Sequence, residues 1–172
     1  MDFDVIGAGD RVLDGLQAEW APDSAVDRSA ADIAAAVRTG DGRRLLITVE
    51  LKYTDDFSDG PLREDGQYDR ALAAVGLTRK DAEGLHRIRA TQVLRSVLLT
   101  AGVRATGGCD DVLVVVLTRD DDERARVVTV AVAAAVPSVP VQWWSLVELL
   151  DSAAARPELP AWAENVAGRY VG

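Results

Sequence analysis

Aromatic residues are scarce: two Phe, three Tyr and four Trp in 172 positions, beside one Cys, one His and one Met. A lone cysteine, Cys109, cannot close an internal disulfide, and with His86 as the single histidine no Cys/His zinc set can be assembled. Cys109 is therefore expected as a free thiol without a structural role, and His86 as a surface helix residue. No apolar run approaches the roughly 18 residues that mark a membrane span. The longest, Val127–Val136, is interrupted by Thr129. The opening Met-Asp-Phe-Asp lacks a basic stretch, so no secretory signal is expected, and a cytoplasmic location is the default. Cations are also short, with 19 Lys and Arg against 28 Asp and Glu, a net charge of −9. That balance excludes a protein that coats nucleic acid through bulk charge. It leaves room for an enzyme with a local basic patch and divalent cations.

What is abundant is small and apolar. Hydrophobic residues make up 48% of the chain, with Ala and Val dominant, so the core must be built by close backbone packing. The length suits one domain over residues 1–172. No repeat or low-complexity tract divides it.

Val12, Leu16 and Trp20 recur at i, i+4 and i+8, which predicts a first helix over Val12–Trp20. Ala21-Pro22-Asp23-Ser24 breaks it. Ala31–Arg38 and Arg44–Tyr53 read as strands joined by the turn cluster Thr39-Gly40-Asp41-Gly42. In the second strand Leu45, Ile47, Val49, Leu51 and Tyr53 share one face, and Leu46, Thr48, Glu50 and Lys52 the other. A polar excursion over Asp55–Asp69 leads to a short helix near Tyr68–Val75. Thr78, with Asp81 three residues on, caps a long helix expected to run to about Ala101 and to end at Gly102. Asp111–Thr118 is a β-branched run suited to a strand buried on both faces. Arg124–Val136 balances an acidic start against a high Val content, and helix is preferred. A strand at Val139–Trp143, a helix capped by Ser145 and running through Leu150, and a last helical turn near Ala161–Gly168 complete an α/β sandwich around a central mixed sheet.

Glu50 and Lys52, two apart on a strand, point to the same side. An isolated carboxylate beside an apolar sheet is costly to bury, and a divalent metal would give it a partner. Lys52 beside it can orient a water or stabilise charge on a phosphate. Asp32 lies on the preceding strand and approaches Glu50 if the two pair antiparallel. Two carboxylates plus water and phosphate is a usual way to hold Mg²⁺. The competing reading is a solvated face of an edge strand. Asp27 rivals Asp32, while Asp23 suits a turn with Pro22. Asp120-Asp121-Asp122-Glu123 fits a turn and helix start better than a metal cluster, because the ligand spacing of a calcium loop is absent. Trp143 and Trp144, adjacent on a strand, point opposite ways, one to the core and the other towards the terminal helix.

The order Asp32, hairpin, Glu50-Leu51-Lys52 resembles the signature of the PD-(D/E)XK nuclease superfamily. The strand Leu45–Thr54 is most similar to a bacterial branch that reads E-x-K-Y-T here. The resemblance covers roughly residues 31–151, and Ala31 stands where the signature has proline. It implies a restriction-endonuclease-like α/β/α sandwich and hydrolysis of phosphodiester bonds, with DNA as the expected substrate. It implies that Asp32, Glu50 and the backbone carbonyl of Leu51 bind Mg²⁺ or Mn²⁺, that Lys52 assists the attacking water, and that Gln92 positions substrate or water. Glu19 is implied as an additional acidic ligand on the first helix. Tyr68, Arg70 and Arg95 are implied as substrate contacts, the last with Arg87 and Arg89 in a local phosphate-facing patch. The family also includes members that have lost catalysis. A binding or scaffold module in a larger defence or mobile-element system is therefore the alternative, with a homo-oligomer or partner protein left open.

Overall fold

The computed structural model describes residues 12–22, 30–52, 57, 60–62 and 65–171. A five-stranded mixed sheet runs in the order β1 (Val12–Trp20), β2 (Ala31–Arg38), β3 (Arg44–Lys52), β4 (Asp111–Thr118), β5 (Val141–Ser145). The first three strands are antiparallel neighbours; β3–β4 and β4–β5 are parallel. Asp23, Asp27, Tyr53 and part of the polar excursion (residues 55, 56, 58, 59, 63 and 64) lie outside the described residues.

The β2–β3 hairpin forms at the expected turn. Thr39 N–H donates to the Arg43 carbonyl at 2.9 Å, and Gly42, at φ +85°, supplies the left-handed residue that closes it. Parallel pairing of β3 with β4 requires a long crossover. It is filled by α1 (Gly66–Ala74), α2 (Arg79–Arg87) and α3 (Thr91–Ala105). A second crossover, α4 (Glu123–Ala135), joins β4 to β5; α5 (Leu146–Ala154) and α6 (Pro160–Tyr170) follow.

Alternate residues of β4 feed two cores. Val112, Val114 and Val116 pack with Leu46 against Val93, Leu94 and Val97 of α3 and Val128 and Val132 of α4. Leu113, Val115 and Leu117 face the other way, onto Trp144 and the α5 residues Leu146 and Leu149. The strand is thus covered on both faces, as its unbroken β-branched run requires. The result is the α/β/α sandwich of a restriction-endonuclease-like fold.

Three expectations change. Val12–Trp20 is an edge strand, not a helix. A four-residue spacing is even, so Val12, Leu16 and Trp20 would share a strand face as readily as a helix face, and pairing with β2 decides the matter. The expected long helix is two. Arg89, at φ +60°, stops α2, with its N–H on the His86 carbonyl and Ala90 N–H on the Leu85 carbonyl. The second helix then runs past Gly102 to Ala105. It ends in the same closure at Gly107 and Gly108, whose N–H groups reach Arg104 and Val103 carbonyls. The last strand sits two residues later than expected, at Val141–Ser145.

The expected caps are present. Thr78 accepts from Asp81 N–H while Asp81 accepts from Thr78 N–H at 2.9 Å. Thr78→Ala is expected to cost about 1 kcal/mol, read as a lower midpoint in urea with an unchanged slope. Asp122 caps α4 through Ala125 N–H at 2.8 Å, and Asp120 accepts from the Ser145 hydroxyl. The acidic run therefore serves helix ends.

Candidate metal and catalytic centre

The β2–β3 register pairs Ile33 with Val49; extended by one step it sets Asp32 opposite Glu50 on the same sheet face. That face looks onto α3. Along α3 the polar residues Gln92, Ser96 and Thr100 recur at a four-residue spacing and form a stripe inside an otherwise apolar helix surface. Thr100 and Thr48 share a hydroxyl hydrogen bond at 2.8 Å, both fully buried, and Thr100 Oγ1 also donates to the Ser96 carbonyl at 2.6 Å. This buried pair fixes β3 against α3 one step below Glu50.

Glu50 is 1% exposed. Its Oε1 accepts from Gln92 Nε2 and from the Lys52 ammonium at 3.2 Å, and its Oε2 accepts from Ser96 Oγ at 3.3 Å. Burial, and secondarily the negative charge of Asp32, push the Glu50 carboxyl up to about 6; Lys52 and Ser96 pull the other way. The Lys52 side chain is 11% exposed, and its ammonium lies 5.8 Å from the centre of the Phe57 ring, itself buried. Asp32 Oδ2 accepts the Leu51 N–H at 2.7 Å. N–H and C=O of one strand residue point to the same edge, so the Leu51 carbonyl is directed towards Asp32 as well.

The donor set fits a hard divalent cation. Two carboxylates stand opposite each other, one of them buried and held away from easy ionisation, with a backbone carbonyl on the same edge. No group of three or more Asp, Glu, His or Cys side chains capable of holding a metal is found among the described residues.

The remaining expected residues fall at different distances from this centre. Glu19 is on β1 rather than on a helix, exposed, with φ +48°, at the step of the β1–β2 register between the pairs Ala18–Ile33 and Trp20–Ala31. Tyr68, expected to face substrate, is 1% exposed in the core under α1. Arg70 is exposed on α1. Arg95, one residue from Ser96, donates to the Pro61 carbonyl at 2.8 Å, and a Cβ on Gly60 would meet its guanidinium at 2.9 Å. It therefore ties α3 to the excursion. His86 Nδ1 is bonded to Thr91 Oγ1 at 2.9 Å. Trp144 is core, while Trp143 turns to Thr118, donating to its hydroxyl at 2.8 Å, and to Arg126 of α4 rather than to the terminal helix. Ser96 escaped the sequence reading. Its signal was the four-residue recurrence from Gln92 to Thr100.

Comparison with known proteins agrees with this arrangement. No curated protein and no solved structure shows a significant match to the chain. A model of the PD-(D/E)XK nuclease superfamily matches residues 4–172. A match over nearly the whole chain, on a sheet that sets Asp32 beside Glu50-x-Lys52, means that this chain belongs to the PD-(D/E)XK nuclease superfamily.

Proposed function

We propose that the chain is a metal-dependent nuclease that hydrolyses phosphodiester bonds in DNA, with Asp32, Glu50 and the Leu51 carbonyl as the Mg²⁺ or Mn²⁺ ligands. The observation that carries this reading is a carboxylate at 1% exposure, contacted by Lys52 and facing a second carboxylate across the strand pair. A fold that needed only stability would fill the position with an apolar residue. Nucleases of the superfamily generally use divalent metals, and when bound such an ion supplies charge neutralisation and acidifies water.

The protein's own groups divide the remaining work. Lys52, with the Phe57 ring beside it, would place its ammonium where the attacking water loses its proton and the phosphate gains charge. Gln92 and Ser96 hold both Glu50 oxygens in place. In the reaction a water oxygen bonds to phosphorus, the bond to the leaving sugar oxygen breaks, and that oxygen takes up a proton. Tyr68 would then serve packing rather than substrate contact, and Arg70, exposed on α1, would be the residue of that helix to contact substrate. No helix among the described residues is long and apolar enough to cross a membrane, and a nucleic-acid substrate with a buried free cysteine goes with a cytoplasmic location.

The test is cleavage of linear, nicked and supercoiled DNA with Mg²⁺ or Mn²⁺. Activity that survives both Glu50→Ala and Lys52→Ala would end this reading. A related expectation concerns pH. Below about 6 Glu50 carries a proton that a metal must displace. Metal affinity, measured by calorimetry, should therefore fall by up to about tenfold per pH unit from pH 6 to pH 5. An affinity flat over that interval would show that Glu50 is not a ligand. A second reading, a nuclease-fold module without catalysis, draws on the fact that both Glu50 oxygens already accept hydrogen bonds. It is favoured if millimolar Mg²⁺ and Mn²⁺ give no heat with the folded protein.

A further inference from the structure

We propose that the cleft between the sheet and the two C-terminal helices receives one unpaired nucleobase of the bound strand and stacks it on Trp162. The inference rests on the nucleic-acid reading above and deepens it, from DNA in general to single-stranded or locally opened DNA held with little sequence preference.

The cleft encloses about 390 Å³ on the sheet face opposite α3. It is lined by Leu51 and Leu117 of the sheet, Leu149 of α5, and Trp162 and Tyr170 of α6. In a chain with 5% aromatic residues, Trp162 is half exposed, and Tyr170 and Leu51 are each 41% exposed. Three large apolar side chains thus converge on one concave site of the size that takes a small planar ligand.

Position selects the ligand. Lys52 belongs both to the lining of this cleft and to the catalytic face, and Leu51, whose side chain lines the cleft, gives its N–H to Asp32. The cleft and the catalytic face lie on opposite sides of β3 and meet at its C-terminal end, so a strand held at the carboxylates reaches the cleft by passing round that end. Charge selects it further. Arg38, Arg43, Arg79 and Arg119 are matched to Asp14, Asp111, Asp69 and Asp121 at 2.6–2.9 Å, and the chain carries −9 overall. Phosphate attraction alone is a weak grip for such a surface. The uncharged part of a nucleotide, its base, is the part that an apolar, aromatic-walled cleft can hold without a cation. A base stacked within a duplex has no free face to offer, so the occupant is unpaired. Thr118, another polar residue of the lining, has its hydroxyl on the Arg119 carbonyl and the Trp143 indole N–H, so it offers a base edge little.

The experiment measures binding of the full chain by fluorescence anisotropy in EDTA, so that cleavage plays no part. One probe is a labelled single-stranded DNA of about 16 nucleotides; the other is an abasic strand of the same length and charge. The wild type is expected to bind the intact strand about tenfold more tightly than the abasic one. Trp162→Ala should bind both alike, while Trp162→Phe keeps most of the preference; circular dichroism checks that each variant is folded. Equal wild-type affinity for the two strands, or a preference that survives in Trp162→Ala, overturns the base pocket and leaves the nuclease reading standing. Binding of neither strand by folded wild type also overturns the base pocket, while the nuclease reading stands or falls on metal-dependent cleavage.

Discussion

Replacing Glu50 with Gln is expected to stabilise the metal-free protein while removing its metal-dependent cleavage. The neutral amide keeps the shape and can still accept from Gln92 and Lys52, but it removes a carboxylate that burial disfavours. The folded value of about 6 lies above the ordinary 4.5, so between those values the folded chain holds a proton that the unfolded chain has released. The stability this proton provides is fully present below pH 4.5 and is lost as pH rises through about 6. At neutral pH the loss is about 2 kcal/mol. Glu50→Gln should restore most of it, an increase in Tm of about 4–8 °C for a chain of this size. The gain should shrink as pH is lowered to 4.5. Cleavage, by contrast, should fall at least about a hundredfold, in line with the loss of a group that acts on developing charge. An unchanged or lower Tm at pH 7.5 in EDTA would show that Glu50 is better compensated than its surroundings indicate.

The second large effect belongs to Lys52. Lys52→Met retains the stem that packs near Phe57 and removes the ammonium. Cleavage should drop by about 10²–10³, the cost of losing one preorganised charge at a reacting centre. Stability should move opposite to the Glu50 variant. Lys52 holds the Glu50 carboxyl down, so without it Glu50 is pushed higher and the metal-free fold loses stability at neutral pH. Below pH 4.5, where Glu50 is protonated in both proteins, the two should converge. Adding Glu50→Gln to Lys52→Met should rescue the stability without rescuing cleavage. That pattern separates electrostatic coupling from general damage to the fold, because packing loss would persist in the double variant.

The parts of this centre that were legible in the sequence are those set by period-two alternation and by turn chemistry. Glu50 and Lys52 fall on one strand face because the flanking apolar residues alternate. Asp32 meets them because Thr39-Gly40-Asp41-Gly42 closes a tight hairpin of defined register. The buried strand β4 was readable from its β-branched run. The first strand was not, because its even apolar spacing serves helix and strand alike. The break between α2 and α3 was hidden too: Arg89 takes a left-handed conformation that usually falls to glycine, and nothing local announces it. Ser96 and the Thr48–Thr100 pair depend on how α3 lies across β3, which is a matter of packing and not of either segment alone. For the same reason Tyr68, polar at its tip and set in a polar excursion, read as a surface contact although its ring is core.

The expected losses of cleavage share one premise, that Asp32 and Glu50 hold a divalent cation between them. The most direct measurement is an anomalous difference map from crystals equilibrated with millimolar Mn²⁺. The expected result is a single strong peak at about 2.0–2.3 Å from carboxylate oxygens of both Asp32 and Glu50, with the Leu51 carbonyl in its shell, and no peak in Glu50→Gln crystals. Wild-type crystals with both carboxylates in place and no peak between them would contradict it.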